Sequence, residues 1–197
     1  VQTLGAGVPP ASPVDGEAHV VGAGATGGWA GQDDAVALWV NGGWVFVAPW
    51  SGLRLWHEAG QTVVTWRDGA WHAGAQAGSQ GGAASFARIA EIDHVLGAGA
   101  TSTTAAIIPD KAVVIGVTGR VTTAIAGATS WSLGVSGAAS RYGSGYGVTV
   151  GAFAHGVSSQ PQAYYGGSAL LVTAGGGDFS AGAIRLAVHF LEIAPPR

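Results

Sequence analysis

Apolar and polar positions alternate with a period of two along much of this chain, and helical periodicity is nearly absent. The pattern is cleanest over 183–192. Ile184, Leu186, Val188 and Phe190, with Glu192 in the same register, point one way, and Arg185, Ala187, His189 and Leu191 point the other. In 112–125, Val113, Ile115, Val117 and Val121 are β-branched and alternate with smaller residues. Further strands are predicted over 92–96, 103–108, 130–135, 147–153 and 169–173, separated by turns rich in Gly, Ser and Ala. Seven or eight strands spaced in this way predict a β-sandwich of jelly-roll type.

The first part of the chain reads as shorter strands on tight turns. Trp39-Val-Asn-Gly-Gly-Trp44 and Trp66-Arg-Asp-Gly-Ala-Trp71 share the pattern Trp-x-[Asn/Asp]-Gly-x-Trp. Asn-Gly and Asp-Gly accept the positive φ angles of two-residue hairpin turns. With strands around 17–21 and at Leu53-Arg-Leu-Trp56, the expectation is a small, tryptophan-rich antiparallel β-meander. Seven of the eight tryptophans lie between Trp29 and Trp71. A domain this small needs bulky side chains to build a core, so a tryptophan core is expected in preference to a ligand platform. The predicted division is therefore 1–74 for the tryptophan-rich domain, 75–90 for a Gly/Ala/Ser-rich linker, with a short helix considered over 83–89, and 91–197 for the sandwich.

Composition narrows the function. The 197 residues include 35 glycines, only 10% charged residues and a formal net charge of −3, so the basic footprint that nucleic acid requires is missing. Cysteine is absent, which excludes thiolate metal sites and thiol nucleophiles. Apolar runs reach six or seven residues, short of the ~18 of a membrane helix, so no membrane insertion is expected. Val1 stands where a start methionine would, and the chain is expected to be a piece of a longer parent.

Motifs of catalysis and cofactor binding fail on inspection. Gly22-Ala-Gly-Ala-Thr-Gly27 has the dinucleotide spacing, but the next residues, Gly28-Trp-Ala-Gly31, are not a helix start with an apolar stripe, so it reads as a loop. The adjacent Asp33 and Asp34 read as a solvated turn. The six histidines lack metal-ligand spacing, and the acids of the sandwich form no suggestive pair. The expectation is a non-enzyme with no metal and no cofactor.

Two loops offer binding chemistry. Arg141, Tyr142 and Tyr146 stand among glycines, and Gln160, Tyr164 and Tyr165 lie in a Ser/Gln-rich stretch further on. Tyrosine presents a flat apolar ring with a hydroxyl, suited to stacking on sugars, and amides and hydroxyls then fix sugar hydroxyls. The same residues suit a subunit interface equally well. Asp178 is a further candidate, in a turn before Phe179. Strand edges so poor in charge are best covered by copies of the same chain, so a homo-oligomer of closed cyclic symmetry, a trimer, is expected.

Pro10-Ala-Ser-Pro-Val-Asp-Gly16, Gly24-Ala-Thr-Gly-Gly-Trp-Ala-Gly31 and the two tryptophan hairpins resemble the DUF2793 family of phage-like tail fibre and spike proteins of alphaproteobacteria, including gene transfer agents. Ile108-Pro-Asp-Lys-Ala-Val-Val-Ile-Gly116, Ala126-Gly-Ala-Thr-Ser130 and Ala174-Gly-Gly-Gly-Asp-Phe179 are similar to the sandwich that comes after this module in such proteins, so the likeness runs from about Val8 to Pro195. It implies a receptor-binding fibre or head spike on the particle surface, adhering to host capsular or other surface polysaccharide. Other particle proteins would be held through a missing N-terminal part. The rivals are a purely structural fibre segment and a polysaccharide depolymerase.

Overall fold

A computed structural model describes residues 1–196, and these described residues are all-β apart from one 3-10 turn at Gly27–Trp29. Two compact units are formed, Val1–Ala84 and Ser85–Ala194.

In the first unit, β1 (Leu4–Ala6), β2 (Ala18–Val21), β3 (Val36–Val40) and β4 (Gly43–Val47) form one sheet in that order. β5 (Arg54–His57), β6 (Thr62–Arg67) and β7 (Ala70–Ala73) form a second. Both tryptophan hairpins close as their sequences dictate. Asn41 and Gly42 sit at φ 50° and 79°, and Asp68 and Gly69 at 51° and 73°. Each turn brings its two indoles opposite one another, with ring centroids 5.0 Å apart for Trp39 and Trp44 and 5.4 Å for Trp66 and Trp71.

The expected antiparallel meander needs correction in one place, since β1 pairs with β2 in parallel. The core is also narrower than expected. Trp29 is fully buried with Val21, Ala25 and Ala37, and packs edge-on against Trp44 at 5.1 Å. Trp50 and Trp56 remain exposed. The loop at Gly22–Gly27 leads into a 3-10 turn of three residues, which offers a pyrophosphate no α-helix N-terminus there.

The 75–90 stretch, expected as a flexible linker, contains the boundary between the two units at Ala84 and Ser85 and is largely strand. β8 (Ala75–Gly78) turns through Ser79–Ala83 into β9 (Ala84–Val95), and the helix considered over 83–89 is part of that strand. Alternation decides it: Ala84, Phe86, Arg88, Ala90 and Ile92 are buried or half-buried while Ser85, Ala87, Ile89 and Glu91 are exposed.

The second unit is a sandwich. β10 (Thr101–Ile108), β14 (Ser168–Gly175) and β12 (Ser130–Gly134) form one sheet in that spatial order. β13 (Phe153–Ala163), β11 (Val113–Ala126), β15 (Ala181–Ala194) and β9 run in that order in the other. From β9 to β15, every successive strand lies in the opposite sheet, and this interleaving is the jelly-roll arrangement. The core joins Val114, Val117 and Val121 of β11 to Ile184, Leu186, Val188 and Phe190 of β15, facing Trp131, Leu133, Leu170 and Val172.

Two strand expectations shift. In β11 the register slips between Val114 and Gly116, a bulge that buries Val114 and leaves Ile115 outside, so Val113 and Ile115 do not share the core face with Val117. The strand expected at 147–153 begins only at Phe153 and runs through Ser158, Gln160 and Pro161. β13 lies at the end of its sheet, where proline is tolerated.

Candidate functional site

The loop after β12 is laced to that strand by backbone hydrogen bonds. The Tyr142 N–H donates to the Leu133 carbonyl at 2.9 Å, and the Leu133 N–H donates to the Gly143 carbonyl at 3.0 Å. Trp131 and Tyr146 exchange a further pair. Gly143 and Gly145, at φ 108° and 73°, let the chain double back so tightly. The result drives the Tyr142 ring into the sandwich. Tyr164, just after the end of β13, enters from the other side, held by Lys111 N–H to its carbonyl at 2.7 Å and by its own N–H to the Ala112 carbonyl at 3.0 Å.

The Tyr142 and Tyr164 hydroxyls share a hydrogen bond of 2.9 Å in the interior. Tyr146 is half-buried with its ring 4.9 Å from that of Trp131, and its hydroxyl donates to the Tyr142 carbonyl. Burial pushes the Tyr142 phenol well above the usual tyrosine range, and the Tyr164 hydrogen bond adds to the effect. Burial also raises Tyr146.

The expectation of four tyrosine rings open to a sugar is therefore corrected. Tyr142 and Tyr164 are 2% and 7% exposed, and form an internal pillar with Tyr146 beside them. Only Tyr165 is fully presented, at 82%.

Above this pillar the surface is concave. A hollow of about 570 Å³ lies over the outer side of the β10-β14-β12 sheet. Ala169 and Leu171 form its floor, and Thr103, Ser136, Arg141, Gln162 and Ser168 supply polar groups around the edge of Tyr164. A second hollow of about 350 Å³ is shared through Ala138 and Arg141, and is lined by Ser158, Ser159 and Gln160. Arg141 is exposed and has no carboxylate partner among the described residues.

The structure thus brings Arg141, Gln160 and Tyr164 to one region, with Tyr142 and Tyr146 beneath as supports. It separates Asp178, which lies in the turn after β14, at the end of that strand opposite Ser168. Thr103, Ser136, Gln162 and Ser168 do not stand out in the sequence. For Gln162 the signal is its place in the same Ser/Gln-rich stretch as Gln160 and Tyr164. For the others, the partnership depends on sheet pairing and leaves no local mark.

Among the described residues no group of three or more His, Asp and Glu side chains is placed to hold a metal ion. No described helix is long and apolar enough to cross a membrane.

Residues 1–72 match the family model described as Protein of unknown function (DUF2793). The match ends before the sandwich begins, so the likeness expected up to about Pro195 is supported for the first unit alone. No curated protein matches the chain.

Proposed function

We propose that the chain is a non-catalytic receptor-binding piece of a phage-like particle or gene transfer agent, carried on the particle surface as a fibre or spike. In this reading the sandwich holds host surface polysaccharide, and the first unit connects it to other particle proteins. One observation carries the binding assignment: two adjoining hollows with hydroxyl and amide walls share an unpaired guanidinium, Arg141. Such a surface suits hydrogen bonding to a neutral or mildly acidic glycan, with Arg141 reaching a carboxylate or ring hydroxyls. Stacking plays a smaller part than the tyrosine count suggests, since Tyr165 is the exposed ring. Clustered copies would add avidity to weak single sites. The placement on a particle rests on the resemblance of the turn and hairpin motifs alone, since the family model that matches residues 1–72 is described as of unknown function.

The test is adhesion of the purified chain to capsulated and capsule-free host cells. Adhesion to capsulated cells alone is expected, and Arg141→Ala should weaken it about tenfold, the loss of one hydrogen bond to a charged group. Equal adhesion to both cell types would refute the polysaccharide reading. A purely structural fibre segment is the second reading, favoured by the Tyr142–Tyr164 bond, which spends two of the expected ligand groups on the core.

A further inference from the structure

The two outer faces of the sandwich differ in kind. β10, β12 and β14 turn outward mostly small or hydroxyl-bearing side chains, such as Thr101, Thr103, Ser130, Ser132 and Ala169, with Leu171 half-buried among them, and no large apolar side chain of these strands is exposed. The opposite sheet turns outward Ile89, Ile115, Phe153, Val157, Leu191 and Ile193. Phe153, Val157 and Ile193 are 64%, 70% and 74% exposed. These six come from all four strands β13, β11, β15 and β9, and share one face of the sheet with polar positions between them. Val157 lies opposite Gly116 at the β11 bulge that turns Ile115 out, Leu191 lies opposite Val113, and Phe153 lies opposite Arg120.

Together they expose roughly 600 Å² of apolar side chain, at the top of what the largest patch of a single-chain protein shows. With the polar residues between them, the face approaches the ~800 Å² that each partner contributes to a standard interface.

The charges on this face are suited to a copy of itself. Arg185 is taken by Asp93, at 2.7 and 2.8 Å. Glu91 stands 3.7 Å from the same guanidinium, a loose contact with lone pairs to spare. Arg120 lies directly opposite Arg185, donates to the Gly151 carbonyl at 3.3 Å and has no carboxylate partner among the described residues. One spare cation and one loosely held anion on a single face are complementary to the same pair on a second copy.

We propose that the outer face of the β13-β11-β15-β9 sheet is covered by a second copy of this chain in a closed oligomer, with Phe153 and Val157 among its buried apolar contacts and Arg120 of each copy paired with Glu91 of a neighbour. This adds to the proposed function the face through which copies cluster, and uses nothing of the glycan site.

The experiment is sedimentation equilibrium of the whole chain without glycan, at concentrations up to about 100 µM. A mass two or more times 19.4 kDa is expected. The double variant Phe153→Asp, Val157→Asp changes exposed positions and should dissociate at least about a hundredfold more readily, as when large apolar anchors are replaced by charges. Arg120→Glu should weaken assembly, and Arg120→Glu with Glu91→Arg should restore it. Thr103→Asp, on the other sheet, should leave assembly unchanged. The proposal is overturned by a wild-type mass of 19.4 kDa at every concentration. It is equally overturned if the folded Phe153→Asp, Val157→Asp variant assembles like wild type, or if Thr103→Asp disrupts assembly to the same degree. Monomeric chains that still adhere to capsule would remove this interface and leave the Arg141 site standing. Oligomers indifferent to capsule would do the reverse.

Discussion

Replacing Tyr142 by Phe deletes one oxygen from the pillar and leaves its ring in place. The Tyr164 hydroxyl then loses the partner it holds at 2.9 Å, on a residue only 7% exposed. A buried hydroxyl left unpaired costs about 1–2 kcal/mol. For a unit of this size that corresponds to a melting temperature lower by roughly 4–8 °C. Tyr164→Phe should cost a similar amount. The double variant should be close to wild type, because both polar groups leave together and two apolar rings remain. The cycle should therefore show a coupling of about 2–4 kcal/mol, the whole of the two single costs, since the double change costs close to nothing. Calorimetry is the suitable assay. Fluorescence would mostly report on the first unit, which holds seven of the eight tryptophans. Single variants within about 0.3 kcal/mol of wild type, or a double variant equal to their sum, would show that the phenols do not depend on each other.

The same pillar gives a pH dependence. Its phenol pKa is raised in the folded state, so its contribution is present below about pH 10, the unfolded value, and is lost as pH rises further. Urea unfolding between about pH 9 and 11, values chosen to bracket that pKa, should show falling stability, and Tyr142→Phe should flatten the slope; an unchanged slope would count against the assignment. Gly156→Ala should destabilise the sandwich by about 2–3 kcal/mol or prevent its closure, because the new methyl would meet the Tyr142 backbone, with the Tyr142 Cβ at 2.6 Å. Wild-type chemical denaturation of Gly156→Ala would show that the loop can yield there.

Short stretches of sequence carry some features of this protein entirely within themselves. Asn41-Gly42 and Asp68-Gly69 specify hairpins because positive φ is a property of the turn residues themselves. The inward face of β15 follows from alternation alone, since a strand's side chains point to opposite sides wherever it lies. The absence of cysteine likewise excludes thiol chemistry without reference to shape. Tertiary pairing decided the rest. The bulge at Val114–Gly116 arises where β11 meets two partners of different register, and it turns Ile115 from the core to the surface. Tyr142 and Tyr164 read as ligand groups because each sits in a glycine-rich or polar loop, yet their burial comes with a bond across 22 positions of chain. Gln162, Ser136 and Thr103 became neighbours of Arg141 through strand order. Local dihedral preference and side-chain alternation are carried by adjacent residues, whereas burial and the company a side chain keeps depend on which distant strands close over it.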